Sequence, residues 1–241
     1  MRYRLDIAYR GTKYHGWQIQ PNAISVQGTL NQKISMLLRT EVKTTGSGRT
    51  DTGVHAEKQV VHFDCNQIIK EDLVYKLNKV LPHDISALNL TKVTENFHAR
   101  FSAKSRAYIY RINTYKDPFL QDQSYLYTKP LDFDTLQAGC QLLKNNSNFE
   151  SFSKIKTSVN NFECEIFKIE WKKSGENITF NIQANRFLRN MVRAIVGTML
   201  DLGTHQITLQ EFEEIIKSKS RKKAGYSVPA HGLYLTEVNY E

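Results

Sequence analysis

The first half of the chain alternates between strand-like and helix-like spacing of its apolar residues. Residues 2–10 alternate apolar and polar positions, which is typical of a half-buried strand. Ser25 is a suitable N-cap for a helix over 26–38, because apolar residues recur there on one face. Further along, the pattern predicts a short strand over 41–47, a loop through Gly53, a strand over 59–65, a helix over 71–81 stopped by Pro82, and a strand over 85–93. The predicted order is β-α-β-β-α-β.

The second half repeats this order of elements without repeating the residues. Strands are predicted over 105–114, 163–173, 178–184 and 232–240, and helices over 134–144, 187–202 and 209–217. We therefore predict an α+β fold of two ferredoxin-like halves, residues 1–103 and 104–241, divided near Ala103. The halves would form a mixed, largely antiparallel sheet with helices on one face and a central basic cleft.

Composition favours a soluble, cytoplasmic protein. The 241 residues are 40% hydrophobic, enough for a sizeable core, but no apolar run approaches the roughly 18 to 20 residues that span a bilayer. The first residues lack the apolar core of a signal peptide. Three cysteines without CxxC spacing predict buried, reduced thiols, not a disulfide framework or a zinc site.

The charge of the chain adds nucleic acid to the candidate partners. A net charge of +9 and a pI near 9.3 create a field that attracts polyanions, although a generic solvated basic surface gives the same numbers. Residues 218–230 are basic, and two interpretations stay open for them: a mobile surface loop that touches phosphate, or an ordinary solvated linker.

Residues 46–56 are the strongest candidate for chemistry. Glycines flank the triplet Arg49-Thr50-Asp51 and permit tight turns and close approach of a ligand to the backbone. Neither a GxGxxG spacing nor a GK[ST] triplet is present, so a dinucleotide fingerprint and a P-loop are excluded. The alternative is a plain turn in which Asp51 caps local amides and Arg49 is solvated.

A metal site is a second interpretation of the same region. Asp51, His55, His62 and Asp64 lie close in sequence, but there is no HExxH motif and no Cys/His pairing. On the predicted strand His62 and Asp64 share a face, whereas His55 is expected in the preceding turn. We therefore predict no metal.

The predicted strand over 105–114 carries an aromatic and basic face. Tyr108 and Tyr110 point to one side, with Arg106 beside them, an arrangement that can stack an unpaired base. Packing between strands is the alternative, and we favour it for Tyr110.

The predicted helix over 187–202 is strongly apolar, yet arginines lie along or beside it. Arg186, Arg189 and Arg193 are spaced as one stripe on a helix. A buried arginine needs a partner, and Asp51 is a candidate that the pairing would keep ionised.

Five motifs, taken together, resemble one known family. They are Gly48-Arg49-Thr50-Asp51-Thr52-Gly53-Val54-His55-Ala56, Gln59-Val60-Val61-His62-Phe63, Phe97-His98-Ala99-Arg100-Phe101-Ser102-Ala103, Asn190-Met191-Val192-Arg193 with Ile195-Val196-Gly197, and Pro229-Ala230 with Gly232-Leu233-Tyr234-Leu235. In this order and over nearly the whole chain, they resemble the tRNA pseudouridine synthase A (TruA) family.

The resemblance implies an isomerase that converts uridine to pseudouridine at positions 38, 39 and 40 of the tRNA anticodon arm. It implies no metal or other cofactor, and a homodimer in which one tRNA contacts both subunits. By similarity Asp51 is the nucleophile and Arg193 its ion-pair partner. Tyr108 stacks on the target base, with removal of the C5 proton as a possible second role. Leu233 packs at that base, and Arg49 either helps to hold the site open or substitutes for the extruded base.

Two other functions compete with this one. A non-catalytic RNA-binding module fits the charge and the element order, but the RNP1 aromatic pattern is missing and a carboxylate in the cleft is unexplained. A metal-dependent nuclease would use Asp51, His55, His62 and Asp64.

Overall fold

The computed structural model of the chain describes residues 1–70, 72–155 and 160–241. They form two compact units, Met1–Lys104 with Tyr234–Glu241, and Ser105–Leu233. In chain order the elements are β1 (Arg2–Tyr9), α1 (Val26–Leu38), β2 (Thr45–Gly46), β3 (His55–Asp64), α2 (Leu73–Val80), β4 (Ile85–Val93), β5 (Ser105–Asn113), β6 (Tyr125–Leu126), α3 (Phe133–Lys144), β7 (Ile166–Ser174), β8 (Asn177–Ala184), α4 (Met191–Gly203), α5 (Leu209–Lys217) and β9 (Leu233–Asn239).

The first unit is built on a sheet in which β1 lies between β4 and β3. Both of these pairings are antiparallel, and β2 pairs antiparallel with β3 around Thr45 and His62. The last strand joins the other end of β3 as a parallel neighbour, with His55 opposite Tyr234. The order β4-β1-β3-β2 is that of a split-βαβ unit, so the ferredoxin-like prediction is confirmed for this half.

The helices of the first unit begin and end where local chemistry requires. The Ser25 hydroxyl accepts a hydrogen bond from the Gly28 amide and caps α1 as predicted. Helix α2 ends at Val80, and Leu81 is extended because the following proline disfavours helical backbone there. Glu71, predicted as the start of this helix, lies outside the described residues. Helix α2 packs against β4 and contacts α1.

The second unit is built on a sheet ordered β6-β5-β8-β7. The β7–β8 hairpin turns at Gly175, whose φ of +57° suits a residue without a side chain. Strands β7 and β8 pair antiparallel, as do β8 and β5, whereas β5 and β6 pair parallel. Helix α3 packs against β7 and contacts α4 and α5. Both units therefore confirm the predicted α+β class with mixed, mostly antiparallel pairing.

Helix α4 starts later than its apolar pattern predicts. It begins at Met191 and not at Phe187, because Asn190 takes left-handed backbone with φ of +66° immediately before it. Asparagine tolerates this conformation better than most residues. Arg186 and Arg189 precede the helix, so the predicted arginine stripe is wrong and only Arg193 lies on α4.

Each unit buries an apolar core, and all three thiols lie inside. Cys65, Cys140 and Cys164 are free and buried, as predicted. Burial raises the pKa of Cys140 to about 12 and that of Cys164 to about 11, so both are uncharged. Within the described ranges, no helix has the length and apolar character needed to cross a membrane.

Candidate active site

The Asp51 loop connects β2 to β3 and is tied at both ends. At its start the Ser47 amide donates to the Val60 carbonyl (2.8 Å). At its end the Val54 amide donates to the Asp51 carbonyl (3.1 Å), across a turn in which Gly53 has φ of +80°. The main chain on either side of Asp51 is therefore fixed by backbone hydrogen bonds.

Thr50 anchors the loop to the interior. Its side chain is only 7% exposed, and its hydroxyl lies 2.8 Å from the Tyr9 hydroxyl. Its carbonyl accepts a hydrogen bond from the Trp17 amide (3.1 Å). The Tyr9 and Trp17 rings stack with centroids 6.2 Å apart. Since Thr50 points inward, its neighbours Arg49 and Asp51 are exposed and half-buried, respectively.

Gln59 on β3 holds the opposite side of the loop. Its side chain is fully buried, and its Oε1 accepts a hydrogen bond from the Ser47 hydroxyl. Its Nε2 donates to the Gly48 carbonyl (3.0 Å). One carboxamide therefore bridges two loop residues and limits how far the loop can shift.

Gly46 and Gly16 are required by close approach. A side-chain carbon at Gly46 would lie 2.7 Å from the Trp17 ring. One at Gly16, where φ is +84°, would lie 2.6 Å from the Thr50 carbonyl oxygen. The glycines thus let residues 16–17 pack directly under the loop that carries Asp51.

The two histidines considered as metal ligands have structural partners. His55 is the first residue of β3, so the prediction that it lies in the turn is wrong. It is buried, its Nδ1 accepts a hydrogen bond from the Gly11 amide (2.9 Å), and its ring stacks on Tyr234 at 4.6 Å. Strand β3 therefore begins four residues before the predicted start at Gln59, and the buried contacts of His55 stabilise this extension.

His62 and Asp64 are also engaged. The Nδ1 atom of His62 accepts a hydrogen bond from the Ala99 amide (3.1 Å). Burial, helped by the positive charge of Arg2, lowers the pKa of His62 to about 4. Asp64 receives two hydrogen bonds from the Arg2 guanidinium, which lower its pKa. Among residues 1–70, 72–155 and 160–241, no three His, Cys, Asp or Glu side chains group as metal ligands. Structural contacts therefore engage the Nδ1 atoms of His55 and His62 and the carboxylate of Asp64.

The second unit carries the aromatic candidates on β5. Tyr108 is half-buried and meets Phe187 edge to face, with centroids 5.0 Å apart. Tyr110 is fully buried, and its hydroxyl donates to the Pro229 carbonyl (2.8 Å). The packing role favoured for Tyr110 is confirmed. Arg106 donates to the Asn185 carbonyl (2.9 Å).

Arg193 lies in the first turn of α4 and is half-buried. Its Nε donates to the Val228 carbonyl (2.7 Å), and the Val228 amide donates back to the Arg193 carbonyl (3.2 Å). A guanidinium has five N–H donors in a planar fork, so this contact orients the group while other donors can bind a carboxylate.

The second part of the basic segment 218–230 packs against α4. Gly225 donates to the Thr198 hydroxyl (3.0 Å), and Val228 is buried. Arg221 donates to the carbonyls of Ala224 and Gly225. These contacts fix the segment within the second unit, and so they position the residues that lead to β9.

Leu233 follows this segment at the start of β9 and is buried. The preceding Gly232 lies against the Tyr110 ring, where a side-chain carbon would come within 2.6 Å. Tyr108, Arg193 and Leu233 thus belong to the second unit, and Asp51 and Arg49 belong to the first.

Sequence reasoning missed the residues that support the Asp51 loop. Gln59 carried a usable signal, because a polar side chain amid the apolar residues of a buried strand requires hydrogen-bond partners. Tyr9 and Trp17 gave no local signal, since their contacts with Thr50 join residues 41 and 33 positions apart in the chain.

Comparison with known proteins identifies the family. The family model described as tRNA pseudouridine synthase matches residues 7–102 and 140–241. A protein of Parabacteroides distasonis named tRNA pseudouridine synthase A is 44% identical over 242 residues, covering 99% of this chain and 96% of the relative. The protein of that name from Bacteroides fragilis matches with the same identity and coverage, and that from Bacillus licheniformis is 37% identical over the full length of both chains. The chain therefore belongs to the tRNA pseudouridine synthase A (TruA) family.

Proposed function

We propose that this protein isomerises uridine to pseudouridine in the anticodon arm of tRNA, at positions 38, 39 and 40, without a metal or other cofactor. The observation that carries the proposal is the Asp51 loop, whose residues match the family motif and which Tyr9, Trp17 and Gln59 hold through hydrogen bonds. Membership of the family and relatives named tRNA pseudouridine synthase A support the same reaction.

The reaction rearranges bonds within one nucleotide. The N1–C1′ bond breaks, the uracil turns, C5 bonds to C1′, C5 loses its proton, and N1 gains one. No oxidant or reductant is needed, and the product has the composition of the substrate. The Asp51 carboxylate can attack the base at C6, attack the sugar at C1′, or assist removal of a ribose proton. Each of these paths requires the carboxylate to be held in a fixed position.

The other family positions receive supporting roles in this proposal. Arg193 is the ion-pair partner of Asp51 that the family motif implies, and the Val228 carbonyl holds its Nε. Tyr108 stacks on the everted base and recovers part of the few kcal/mol that eversion costs. Leu233 packs at the base and helps to exclude water, which would otherwise hydrolyse the glycosidic bond. Arg49, exposed beside Asp51, helps to hold the site open for the everted base.

The catalytic loop belongs to the first half of the chain, residues 1–103, and the stacking tyrosine and paired arginine belong to the second, residues 104–241. A basic cleft holds the tRNA, consistent with the net charge of +9. We propose a cytoplasmic homodimer in which one tRNA contacts both subunits.

The activity is tested by incubating the protein with an unmodified tRNA transcript that has uridines at positions 38, 39 and 40. Carbodiimide-based mapping or mass spectrometry should locate pseudouridine there, with and without chelator. A transcript that is bound but unmodified would support the RNA-binding module instead, and a cleaved transcript would support a nuclease.

A further inference from the structure

A column of aromatic rings runs from the interior of the first unit to its surface in the segment between β4 and Lys104. The buried His62 ring lies 4.8 Å from the His98 ring, and the His98 ring lies 4.4 Å from the Phe101 ring. Phe101 ends the column at the surface and is 75% exposed. A large apolar ring is thus supported from below and presented to solvent.

The turn that presents Phe101 is closed by its own hydrogen bonds. The His98 amide donates to the Ser102 hydroxyl (3.0 Å), and the Ser102 amide donates to the His98 carbonyl (2.9 Å). The Nδ1 atom of His98 accepts from the amides of Arg100 (3.1 Å) and Phe101 (3.3 Å). The backbone under the exposed ring therefore has little freedom.

The turn is also fastened to the sheet. Ala99 is buried, its amide donates to His62 on β3, and its carbonyl accepts from the Tyr240 hydroxyl (2.7 Å). Arg2 on β1 donates to the Phe97 carbonyl (3.0 Å). Several long-range contacts thus fix this turn, although the Phe101 ring at its outer end buries little surface.

Such an arrangement suits a ligand that stacks. A rigidly presented aromatic ring offers contact area with little ordering entropy to lose, and every nucleobase has a face that can stack on it. Arg100 is exposed, and its guanidinium lies 5.4 Å from the Phe101 ring centroid, within reach of a phosphate next to a stacked base.

We propose that Phe101 and Arg100 form an RNA-binding platform, separate from the loop of Asp51, on which an unpaired base of the tRNA stacks while Arg100 contacts the adjoining phosphate. That the RNA is tRNA rests on the proposed function. The stacking and the phosphate contact rest on the geometry of the turn.

An RNA fits this surface better than a second copy of the chain. The ring is flanked by the exposed cationic Arg100, and the nearby Lys104 is exposed as well. A stable protein interface buries about 800 Å² per partner around an apolar centre that is poor in charge. One ring beside cations, on a chain with net charge +9, is suited to a polyanion.

The test compares the affinity of variants for a fluorescently labelled, unmodified tRNA transcript. Phe101→Ala should weaken binding about ten-fold, the order expected for the loss of one stacked base, whereas Phe101→Trp should bind like the parent protein. Phe119→Ala, which removes an aromatic ring 86% exposed on the second unit, is the matched control and should not change affinity. Arg100→Ala should lower the slope of log Kd against log salt concentration by about one.

Equal affinities for Phe101→Ala and the parent would overturn the proposal. A Phe101→Ala protein whose mass in solution drops to that of a monomer would also overturn it, since the ring would then serve a second copy. Pseudouridine is measured in the same samples. If the parent protein binds tRNA through Phe101 but forms no pseudouridine, the proposed function fails and the platform stands. If it forms pseudouridine and Phe101→Ala binds normally, the platform alone fails.

Discussion

Replacing Gly16 by alanine should disturb the Asp51 loop without changing the Asp51 side chain. The new methyl group would lie 2.6 Å from the Thr50 carbonyl oxygen and 3.2 Å from the Asp51 carbonyl carbon. These are backbone atoms, so no flexible side chain can move aside. The φ of +84° adds strain, because residues with a side chain disfavour that conformation.

The loss of stability expected for Gly16→Ala has two parts of similar size. Left-handed backbone costs a non-glycine residue roughly 1–2 kcal/mol. Forcing a methyl group into a filled site costs about 1–3 kcal/mol more. We therefore expect Gly16→Ala to lower the free energy of unfolding by roughly 2–5 kcal/mol. If the clash is relieved by moving the loop about 1 Å, kcat for pseudouridine formation should fall on the order of 100-fold.

Gly175→Ala is the matched control, because Gly175 also has positive φ but no atom lies within 4 Å of the added methyl group. It should cost only the backbone strain and leave kcat unchanged. Thermal unfolding and initial rates with a tRNA transcript measure both effects. Equal melting temperatures and equal rates for the two variants would refute the view that residues 16–17 position the loop.

Two further predictions concern groups away from Asp51. Tyr110→Phe removes the donor to the Pro229 carbonyl in a fully buried position, so it should destabilise the protein by about 1–2 kcal/mol, whereas Tyr115→Phe, at an exposed site, should not. An unchanged melting temperature for Tyr110→Phe would contradict this. His62 binds its proton more weakly when folded (pKa about 4) than when unfolded (about 6.5). Its neutral form therefore stabilises the protein fully above pH 6.5, and this contribution is lost as the pH falls towards 4. His62→Gln, which keeps an acceptor for the Ala99 amide, should show a shallower loss of stability over that range; an equal loss would exclude His62 as its source.

Much of the fold was predictable because its patterns are local. The predicted strand over 85–93 matches β4, and the Ser25 cap forms as expected. Helix α4 shows where local patterning fails, since its apolar spacing extends back to Phe187 but the left-handed backbone of Asn190 makes the helix begin only at Met191. Nothing in the spacing of apolar residues distinguishes that asparagine from one inside a helix.

Part of the candidate site was also predictable from local sequence, and part was not. The glycines around Asp51 and the match to the family motif marked the loop from the sequence. Of its supports, Gln59 carried a signal as a polar residue in an apolar strand, whereas Tyr9 and Trp17 meet the loop only once distant parts of the chain have folded together. Likewise the exposed fraction of Phe101 depends on the folding of its turn, and an aromatic residue in a sequence gives no sign of which way it will face.

Asp51→Asn shows whether the Asp51 carboxylate performs the isomerisation. This variant keeps the size of the side chain and removes its charge, and Glu57→Gln makes the same change at an exposed position on β3. With a saturating tRNA transcript, we expect Asp51→Asn to bind the RNA but yield no pseudouridine in a single turnover, while Glu57→Gln reacts at the parental rate. Pseudouridine formed by Asp51→Asn at that same rate would show that the reaction does not need the Asp51 carboxylate.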